Sequence, residues 1–181
     1  MNVSRPASGG RSLEPVQDIP TLVKRRLQAQ VVGPIYEEMV REIGQEKAAA
    51  ILDAAIRQAA IAEGREFAAR APGGKPSMAN FIALYELWTR DGALEVDVLE
   101  ASDTKFDFNV TRCRYAEMYK EMGLGDIGPL LSCNRDGTFC QGYDPKITLQ
   151  RDQTIMAGAS CCTFRYSYSD DARDTSAPGL K

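Results

Sequence analysis

The first part of the chain places its apolar residues at the period of an α-helix. From position 27 they recur every four residues, and this apolar stripe consists of Leu27, Val31, Ile35, Met39 and Ile43. Ile19-Pro20-Thr21 resembles a helix start signal, and Gly44 ends the run. Because Gly33-Pro34 falls inside the run, we expect a kink or a short break there.

Two further helices are predicted before the pattern changes. The stretch 45–70 carries the strongest helix signal, and its apolar face is rich in alanine, so a neighbour can pack closely against it. We take this face as a candidate homodimer contact. The stretch 71–76, rich in Pro and Gly, ends the helix. Ser77 then caps a third helix, whose inward side chains are expected to be Met78, Phe81, Ile82, Tyr85 and Trp88.

From Leu94 the apolar residues alternate with polar ones, as in a half-buried β-strand. The stretch 93–112 holds two such runs separated by Ser102-Asp103, which predicts an antiparallel hairpin. A helix from Thr111 to Met122 and a short one from Ile127 to Cys133 are expected next. Two final strands are predicted at 146–151 and 162–168.

This order of elements predicts an α+β fold, in which N-terminal helices pack on a small antiparallel sheet. Residues 1–18 are rich in Ser, Pro, Gly and Arg, and we expect a disordered tail there. A single domain is predicted over residues 19–168. The polar stretch 169–181 is expected to be a loose C-terminal tail.

Composition and charge narrow the class of protein. Of 181 residues, 44% are hydrophobic and 26% are charged, which is the balance of a soluble globular protein. A net charge of −3 offers no basic face for nucleic acid. No apolar run is long enough to cross a bilayer, and the N-terminus lacks the apolar core of a signal peptide. We therefore expect a cytoplasmic protein that binds a small molecule, with no nucleic-acid or membrane partner.

The chain has five cysteines and no histidine. The lack of histidine excludes Ser-His-Asp and Cys-His catalysis within one chain, as well as zinc sites with imidazole ligands. The odd number of cysteines fits reduced thiols better than a disulfide framework. A general base must therefore be Asp, Glu, Lys, Tyr or a thiolate.

Cys113 lies where the second strand gives way to a helix. Unpaired N–H groups and the positive end of the helix dipole favour the thiolate at such a position, and Arg112 and Arg114 flank it. Glu117 lies one helical turn further on and is a candidate proton relay. The structural alternative is a small buried cysteine beside a solvated glutamate.

The segment Cys133-Asn134-Arg135-Asp136-Gly137 places a thiol, a guanidinium group and a carboxylate close together. Asp136 is a candidate general base or water-positioning group, and Arg135 a candidate ligand for a substrate carboxylate. A helix cap followed by a glycine turn is the structural alternative. No organic cofactor is expected. A zinc site is an alternative hypothesis, without the close Cys-x-x-Cys spacing that zinc sites favour, and its ligands would be Cys113, Cys133, Asp136 and Cys162.

Three segments of this region carry a resemblance to a known family. FNVTRCRYAEMY (108–119), LLSCNRDGTFCQGYDPKI (130–147) and TIMAGASCCTFRY (154–166) resemble the L-2-amino-thiazoline-4-carboxylic acid hydrolase family. With the helical first half, the resemblance covers about residues 20–168. The Gly-x-x-x-Cys-x-Phe ending at 158–164 also resembles the 4-vinyl-reductase type of domain, which implies an α+β ligand-binding fold.

The family resemblance implies hydrolytic opening of a small heterocycle at a C–N bond, in a cyclic amidine or cyclic amide. In that reaction Cys113 would attack or position the ring carbon, and Asp136 or Glu117 would manage the proton. Alternatively, Asp136 alone would direct a water molecule. The candidate substrate-binding residues are Arg135, Arg165, Tyr115 and Phe108.

The chain departs from the family at its closing motif. The family usually has Cys-Asp-Phe-Arg, whereas residues 162–165 are Cys-Thr-Phe-Arg, and Cys161 stands where some members have histidine. If that carboxylate or imidazole is catalytic, its role is lost or moved here. The alternative function is a non-catalytic domain that senses an apolar or aromatic ligand in a pocket lined by Phe106, Phe108, Tyr166 and Trp88.

Overall fold

The computed structural model describes residues 19–169 and begins with two long helices, α1 (Thr21–Ile43) and α2 (Gln45–Ala69). The predicted tail 1–18, and all of the predicted C-terminal tail except Ser169, lie outside the described residues. Gly44 joins the two helices with a φ of 83°, a conformation that favours glycine. Among the described helices, none combines the length and the apolar character that a membrane crossing requires.

The expected break at Gly33-Pro34 does not occur, because α1 continues through Pro34. Proline cannot donate to the carbonyl four residues earlier, which belongs to Gln30. Both Gln30 and Pro34 are exposed, so water can bond to this carbonyl. The helix therefore tolerates the proline on its solvent side.

The apolar stripe of α1 faces solvent rather than the core. Leu27, Val31 and Ile35 are 52%, 63% and 53% exposed. The buried residues of the helix are Arg25, Ala29 and Gly33, one turn apart on the other side. Small residues there allow close packing: a Cβ at Gly33 would lie 3.1 Å from a methyl group of Leu124. The pattern thus predicted the helix correctly but marked the face that does not pack.

Two short helices, α3 (Met78–Leu84) and α4 (Glu86–Thr89), supply aromatic residues to the core. The Ser77 side chain accepts a hydrogen bond from the Asn80 N–H at 3.1 Å, which confirms the predicted cap. Phe81 is buried, and its ring meets the Tyr166 ring edge-on at 4.9 Å. The helices are thereby fixed against the sheet.

The sheet has four antiparallel strands in the order β1-β2-β4-β3, and the protein has the predicted α+β fold. Its strands are β1 (Leu94–Ala101), β2 (Lys105–Cys113), β3 (Ile147–Gln150) and β4 (Cys162–Tyr168). The predicted hairpin and both final strands are confirmed. Val110 pairs with Cys162, and Phe108 pairs with Phe164.

Helix α5 (Arg114–Glu121) follows β2 directly, and α6 (Asn134–Tyr143) follows a π-helical turn, Pro129–Cys133. The segment Asn134–Gly137 is the first turn of α6, so the glycine turn considered for it is wrong. Leu131, Arg135 and Phe139 are buried at helical spacing, and this packing outweighs the turn preference of Asn, Asp and Gly.

Helices α2 and α6 approach each other closely through two glycines. A Cβ at Gly142 would lie 2.0 Å from the Ile61 carbonyl oxygen, and one at Gly64 would lie 2.3 Å from the Phe139 carbonyl oxygen. Helix α6 therefore covers the part of α2 around Gly64 within the chain. On the alanine-rich face, Ala48 and Leu52 are buried, whereas Ile51, Ala55 and Ala59 are exposed, so the homodimer contact stays a prediction.

This close approach gives a prediction for two glycines of the same helix. The change Gly142→Ala should lower the free energy of unfolding by about 3 kcal/mol, because backbone atoms must move apart to admit the methyl group. Gly137→Ala is the matched control. Its Cβ would lie 3.5 Å from the Leu149 Cβ, an ordinary contact, so stability should stay within about 1 kcal/mol. Urea unfolding measures both, and equal effects would contradict the proposed packing.

Candidate functional site

A cavity of about 100 Å³ lies between the inner face of the sheet and the surrounding helices. An engineered cavity of about 150 Å³ holds a benzene ring, so this one suits a ligand of about one ring. Aromatic side chains form one wall: Phe81, Tyr85, Trp88, Phe139, Phe164 and Tyr166. Charged, sulfur-containing, aliphatic and hydroxyl side chains form the rest, and several come from the predicted site.

Cys113 and Asp136 line this same cavity, as the sequence interpretation required. Cys113 ends β2 and precedes the first turn of α5, while Asp136 belongs to the first turn of α6. Arg135 and Tyr115 also line it. The Tyr115 hydroxyl donates to the Trp88 carbonyl at 3.1 Å, which fixes that ring in the wall. Four of the candidate residues therefore meet around one space.

The thiols in the cavity are held in their neutral form. Burial raises the pKa of Cys113 to about 11, although the backbone N–H groups of Ala116 and Tyr115 oppose this increase. The expected effect of the helix start is thus present but smaller than the effect of desolvation. Burial likewise raises the pKa of Cys133 to about 12. The predicted activation of Cys113 as a thiolate is therefore wrong.

The flanking arginines do not stabilise a Cys113 thiolate, because their guanidinium groups bind other partners at the surface. Arg112 pairs with Glu117 at 2.8 Å and with Glu95 at 3.3 Å. Arg114 donates to the Asp91 carbonyl at 2.9 Å. Strand alternation explains the position of Arg112, since the neighbour of an inward residue on a strand points outward, whereas Arg114 already belongs to α5.

Asp136 and Arg151 form an ion pair in the cavity. The Arg151 Nη1 lies 2.5 Å from Asp136 Oδ2, its Nη2 donates to the Cys133 carbonyl at 2.9 Å, and its guanidinium lies 4.9 Å from the centre of the Phe164 ring. Burial raises the pKa of Asp136 above its ordinary value, and Arg151 only partly offsets this effect. Asp136 is therefore a stronger base than an exposed aspartate.

A second charged cluster joins three helices at the cavity. The Glu63 carboxylate of α2 accepts from Lys24 at 2.9 Å, from Arg25 at 2.9 Å and from Arg135 at 3.3 Å. Burial alone would raise the pKa of Glu63, but Arg25 and Lys24 outweigh it and hold that pKa at about 2. Burial and the adjacent Arg25 lower the pKa of Arg135 to about 10.

The Tyr85 hydroxyl is a buried polar group that the described residues leave without a hydrogen bond. It is buried in the cavity wall and has no hydrogen-bond partner among residues 19–169. A buried hydroxyl without a hydrogen-bond partner destabilises the folded state, because its contact with water is lost and not replaced. A polar atom of a bound ligand would satisfy it.

Three predicted residues lie away from the cavity. Glu117 lies on the surface of α5, where its carboxylate pairs with Arg112 at 2.8 Å. Arg165 lies on the outer face of β4, where it donates to the Phe108 carbonyl and to Asn109 Oδ1 at 2.9 and 3.0 Å. Phe108 is fully buried behind the wall and stacks on Phe164 at 4.7 Å.

The departures from the family motif also lie outside the cavity wall. Thr163 is on the outer side of β4, and its hydroxyl accepts from the Asp152 N–H at 3.2 Å. The Cys161 thiol accepts from Gln153 Nε2 at 3.2 Å. An aspartate at 163 would therefore stand beside Arg165, away from Asp136.

The zinc hypothesis finds no matching geometry. Among the described residues, no group of three or more Cys, Asp and Glu side chains is arranged to hold a metal ion. Cys133 Sγ instead donates to Met156 Sδ at 3.5 Å, and Cys162 Sγ accepts from the Ile155 N–H at 3.2 Å. All five cysteines are free thiols.

The sequence interpretation gave no site role to Arg25, Glu63 or Arg151, which line the cavity, and it placed Tyr85 only among the inward side chains of a helix. Arg25 has a signal in retrospect, because it stands four residues before Ala29 and eight before Gly33 on the packed side of α1. Arg151 stands beside Asp152 just after the end of strand β3, where charged residues are common. Glu63 carries no local signal, since its role depends on neighbours distant in sequence.

Comparison with known proteins shows the family and the fold of the chain. The model of a family described as L-2-amino-thiazoline-4-carboxylic acid hydrolase matches residues 24–166, which is more than three quarters of the chain. A search of curated proteins found no match. One similar solved structure is the phenol-responsive sensory domain of the transcription activator PoxR with phenol. It has 14% identity and a TM-score of 0.50 over 78% of this chain and 76% of that one, which shows a shared fold.

The Glu63 cluster gives a prediction about stability and pH. Glu63→Gln should lower the free energy of unfolding by about 2–3 kcal/mol at pH 7, because the pKa of Glu63 is about 2 when folded against an ordinary 4.5. This stabilisation is complete above pH 4.5 and is lost as the pH falls towards 2, so the wild-type and variant values should converge there. Denaturant unfolding at several pH values measures the difference.

Glu66→Gln is the matched control on the same helix. Glu66 is exposed and pairs with Arg70 at 3.4 Å, so its replacement should change stability by less than about 0.5 kcal/mol at any pH. A pH-independent effect at Glu63 would contradict the role given to its charge.

Proposed function

Because the chain belongs to the L-2-amino-thiazoline-4-carboxylic acid hydrolase family, we propose that it hydrolyses a C–N bond in a small ring bound in this cavity. The substrate is a cyclic amidine or cyclic amide of about one ring that carries a carboxylate. The observation that carries this proposal is Asp136, a partly buried carboxylate of raised pKa that faces the cavity beside arginines. We also propose a cytoplasmic location, which the free thiols support because thiols stay reduced there.

The charge of the cavity supports an anionic substrate. Three arginines line it, Arg25, Arg135 and Arg151, against the two carboxylates of Glu63 and Asp136, which leaves one net positive charge. A single substrate carboxylate would balance it. Bonds to Glu63 and to the Leu131 carbonyl use two of the five N–H donors of Arg135, so the guanidinium can also bind this carboxylate.

In the proposed reaction the oxygen of a water molecule attacks the ring carbon that is bonded to nitrogen. At the same time Asp136 takes a proton from this water molecule. The C–N bond of the tetrahedral intermediate then breaks, and the proton passes from Asp136 to the departing nitrogen. The product is the substrate plus one water. Tyr85, whose hydroxyl has no partner within residues 19–169, is positioned to donate to a polar ring atom.

Water is favoured over Cys113 as the nucleophile by the state of the thiol. With a pKa of about 11, only about one Cys113 in ten thousand is a thiolate at pH 7. Cys113 therefore contributes to the shape of the pocket. Attack by Cys113, with Asp136 as its base, is the competing mechanism.

A second candidate function is the binding of an aromatic ligand without turnover. The aromatic wall of the cavity favours it, and so does the fold shared with a sensory domain. The two functions are separated by incubating the purified protein with a panel of cyclic amidines and cyclic amides, with and without a carboxylate, and with phenol. Mass spectrometry would show the gain of one water under the first function. Stabilisation against heat with no new product would support the second.

Substitutions at Asp136 and Cys113 distinguish the two mechanisms. Asp136→Asn should lower kcat by about 10²–10⁴-fold on a substrate found in that panel, because the base is lost. Cys113→Ser should retain kcat within about threefold. Loss of activity in both variants would establish the thiol as the nucleophile, and full activity in Asp136→Asn would end the proposal.

The pH dependence of kcat/KM gives a further test. The base must be ionised, so kcat/KM should fall on the acid side as pH drops through the raised pKa of Asp136. Arg151→Met removes the cation that favours the carboxylate, so this limb should move to higher pH by roughly one pH unit or more. Arg165→Met is the control, because Arg165 forms its hydrogen bonds on the outer face of the sheet. The acid limb of kcat/KM should stay at the same pH in this variant. Equal shifts in both variants would contradict the Asp136–Arg151 coupling.

A further inference from the structure

The exposed side of α1 carries an unusual row of apolar residues. Val23, Leu27, Val31 and Ile35, which we call the α1 ridge, are between 45% and 63% exposed. Ile19 and Ile43 extend the same four-residue spacing and are 40% and 41% exposed. Of the ten large hydrophobic side chains exposed within residues 19–169, six belong to this one row. Scattered exposed apolar residues are normal, but a continuous row marks an interaction surface.

The size of the row suits a protein interface. Six half-exposed aliphatic side chains present about 500 Å² of apolar surface, and a stable interface covers about 800 Å² on each partner. Leu87 adds to it at the N-terminal end, because Thr21 donates to the Leu87 carbonyl at 2.9 Å and Leu87 is 37% exposed. Polar residues around the ridge would supply the remainder.

We propose that the α1 ridge is the contact between two copies of this chain, packed α1 against α1. Residues four apart form a ridge inclined to the helix axis, and two such ridges interlock when the helices cross at about 50°. Two identical ridges can do this about a twofold axis, so that each copy uses the same surface. Val31, the most exposed residue of the ridge at 63%, lies at the centre.

The charges on α1 favour an antiparallel crossing of the two copies. Arg26 lies near the N-terminal end of the ridge, whereas Glu37, Glu38 and Glu42 lie near its C-terminal end. Lys24 is also near the N-terminal end, but its charge is already paired with Glu63. Arg41 offsets part of the acidic charge through Glu38 and Glu42. With the twofold axis at Val31, the basic end of each helix faces the acidic end of the other.

The flanking segment of the same chain is a weaker occupant for the ridge. Residues 1–18 contain only four large apolar side chains, Met1, Val3, Leu13 and Val16, among Ser, Pro, Gly and charged residues. A second copy instead offers a row that matches in length and spacing. The contact would also hold in place the helix that carries Arg25 into the cavity, although the proposal does not depend on the proposed function.

The experiment measures the mass of the full chain in solution by size-exclusion chromatography with light scattering, between about 1 and 100 μM, where weak dimers dissociate. We expect a dimer for the wild type. Val31→Glu and Leu27→Glu should each raise the dimer dissociation constant at least tenfold. Val98→Glu is the matched control, because Val98 is 57% exposed on strand β1 away from the ridge, and it should leave the dimer intact.

A second measurement does not depend on a destabilising charge. Val31→Cys should form a covalent dimer on oxidation with diamide, since the two copies of residue 31 meet at the axis, whereas Val98→Cys and the wild type should not. A wild-type monomer throughout the concentration range would overturn the proposal. So would a dimer that survives both glutamate variants with unchanged dissociation constant, or equal cross-linking at positions 31 and 98.

Discussion

The arrangement of the cavity depends on one buried carboxylate, Glu63, which binds cations from two other helices. It accepts from Lys24 and Arg25 of α1 and from Arg135 of α6. The contact is possible because the next residue is Gly64, where the backbones of α2 and α6 come too close to admit a side chain. Close helix packing and charge pairing are therefore achieved by adjacent residues. Without the carboxylate, two buried guanidinium groups would lie side by side, which costs several kcal/mol.

Burial decides which chemistry this site can support. Desolvation disfavours the charged form of any acid, so it makes the thiols poor nucleophiles and Asp136 a better base. The two effects have the same origin and opposite consequences. A mechanism that needs a thiolate is weakened by the enclosure of the cavity, whereas one that needs a basic carboxylate is strengthened. Arg151 limits the rise in the pKa of Asp136, because its guanidinium pairs with that carboxylate. It also donates to the Cys133 carbonyl.

Local patterns predicted the elements of the fold well, because period and capping are local properties. The strands and the Ser77 cap followed from them. The pairing of Cys113 with Asp136 came instead from the family resemblance, and both residues line the cavity. What they could not predict was which surface each element packs against. The apolar stripe of α1 lies outside because Arg25, Ala29 and Gly33 let that helix sit close to its neighbours. Thiol activation at Cys113 failed for the same reason, since the helix start is local but desolvation is set by the whole fold.

The departure of the closing motif from the family pattern lies on the outer side of the sheet, away from the cavity. Alternation along β4 puts Cys162 and Phe164 on the cavity side and Thr163 and Arg165 on the outer side. Arg165 is satisfied there by Asn109 and a backbone carbonyl, so it does not need an aspartate at 163. The carboxylate proposed as the base, Asp136, comes from α6, in a segment that retains the family resemblance. The proposed chemistry therefore rests on Asp136, and the substitution at Thr163 leaves its surroundings unchanged.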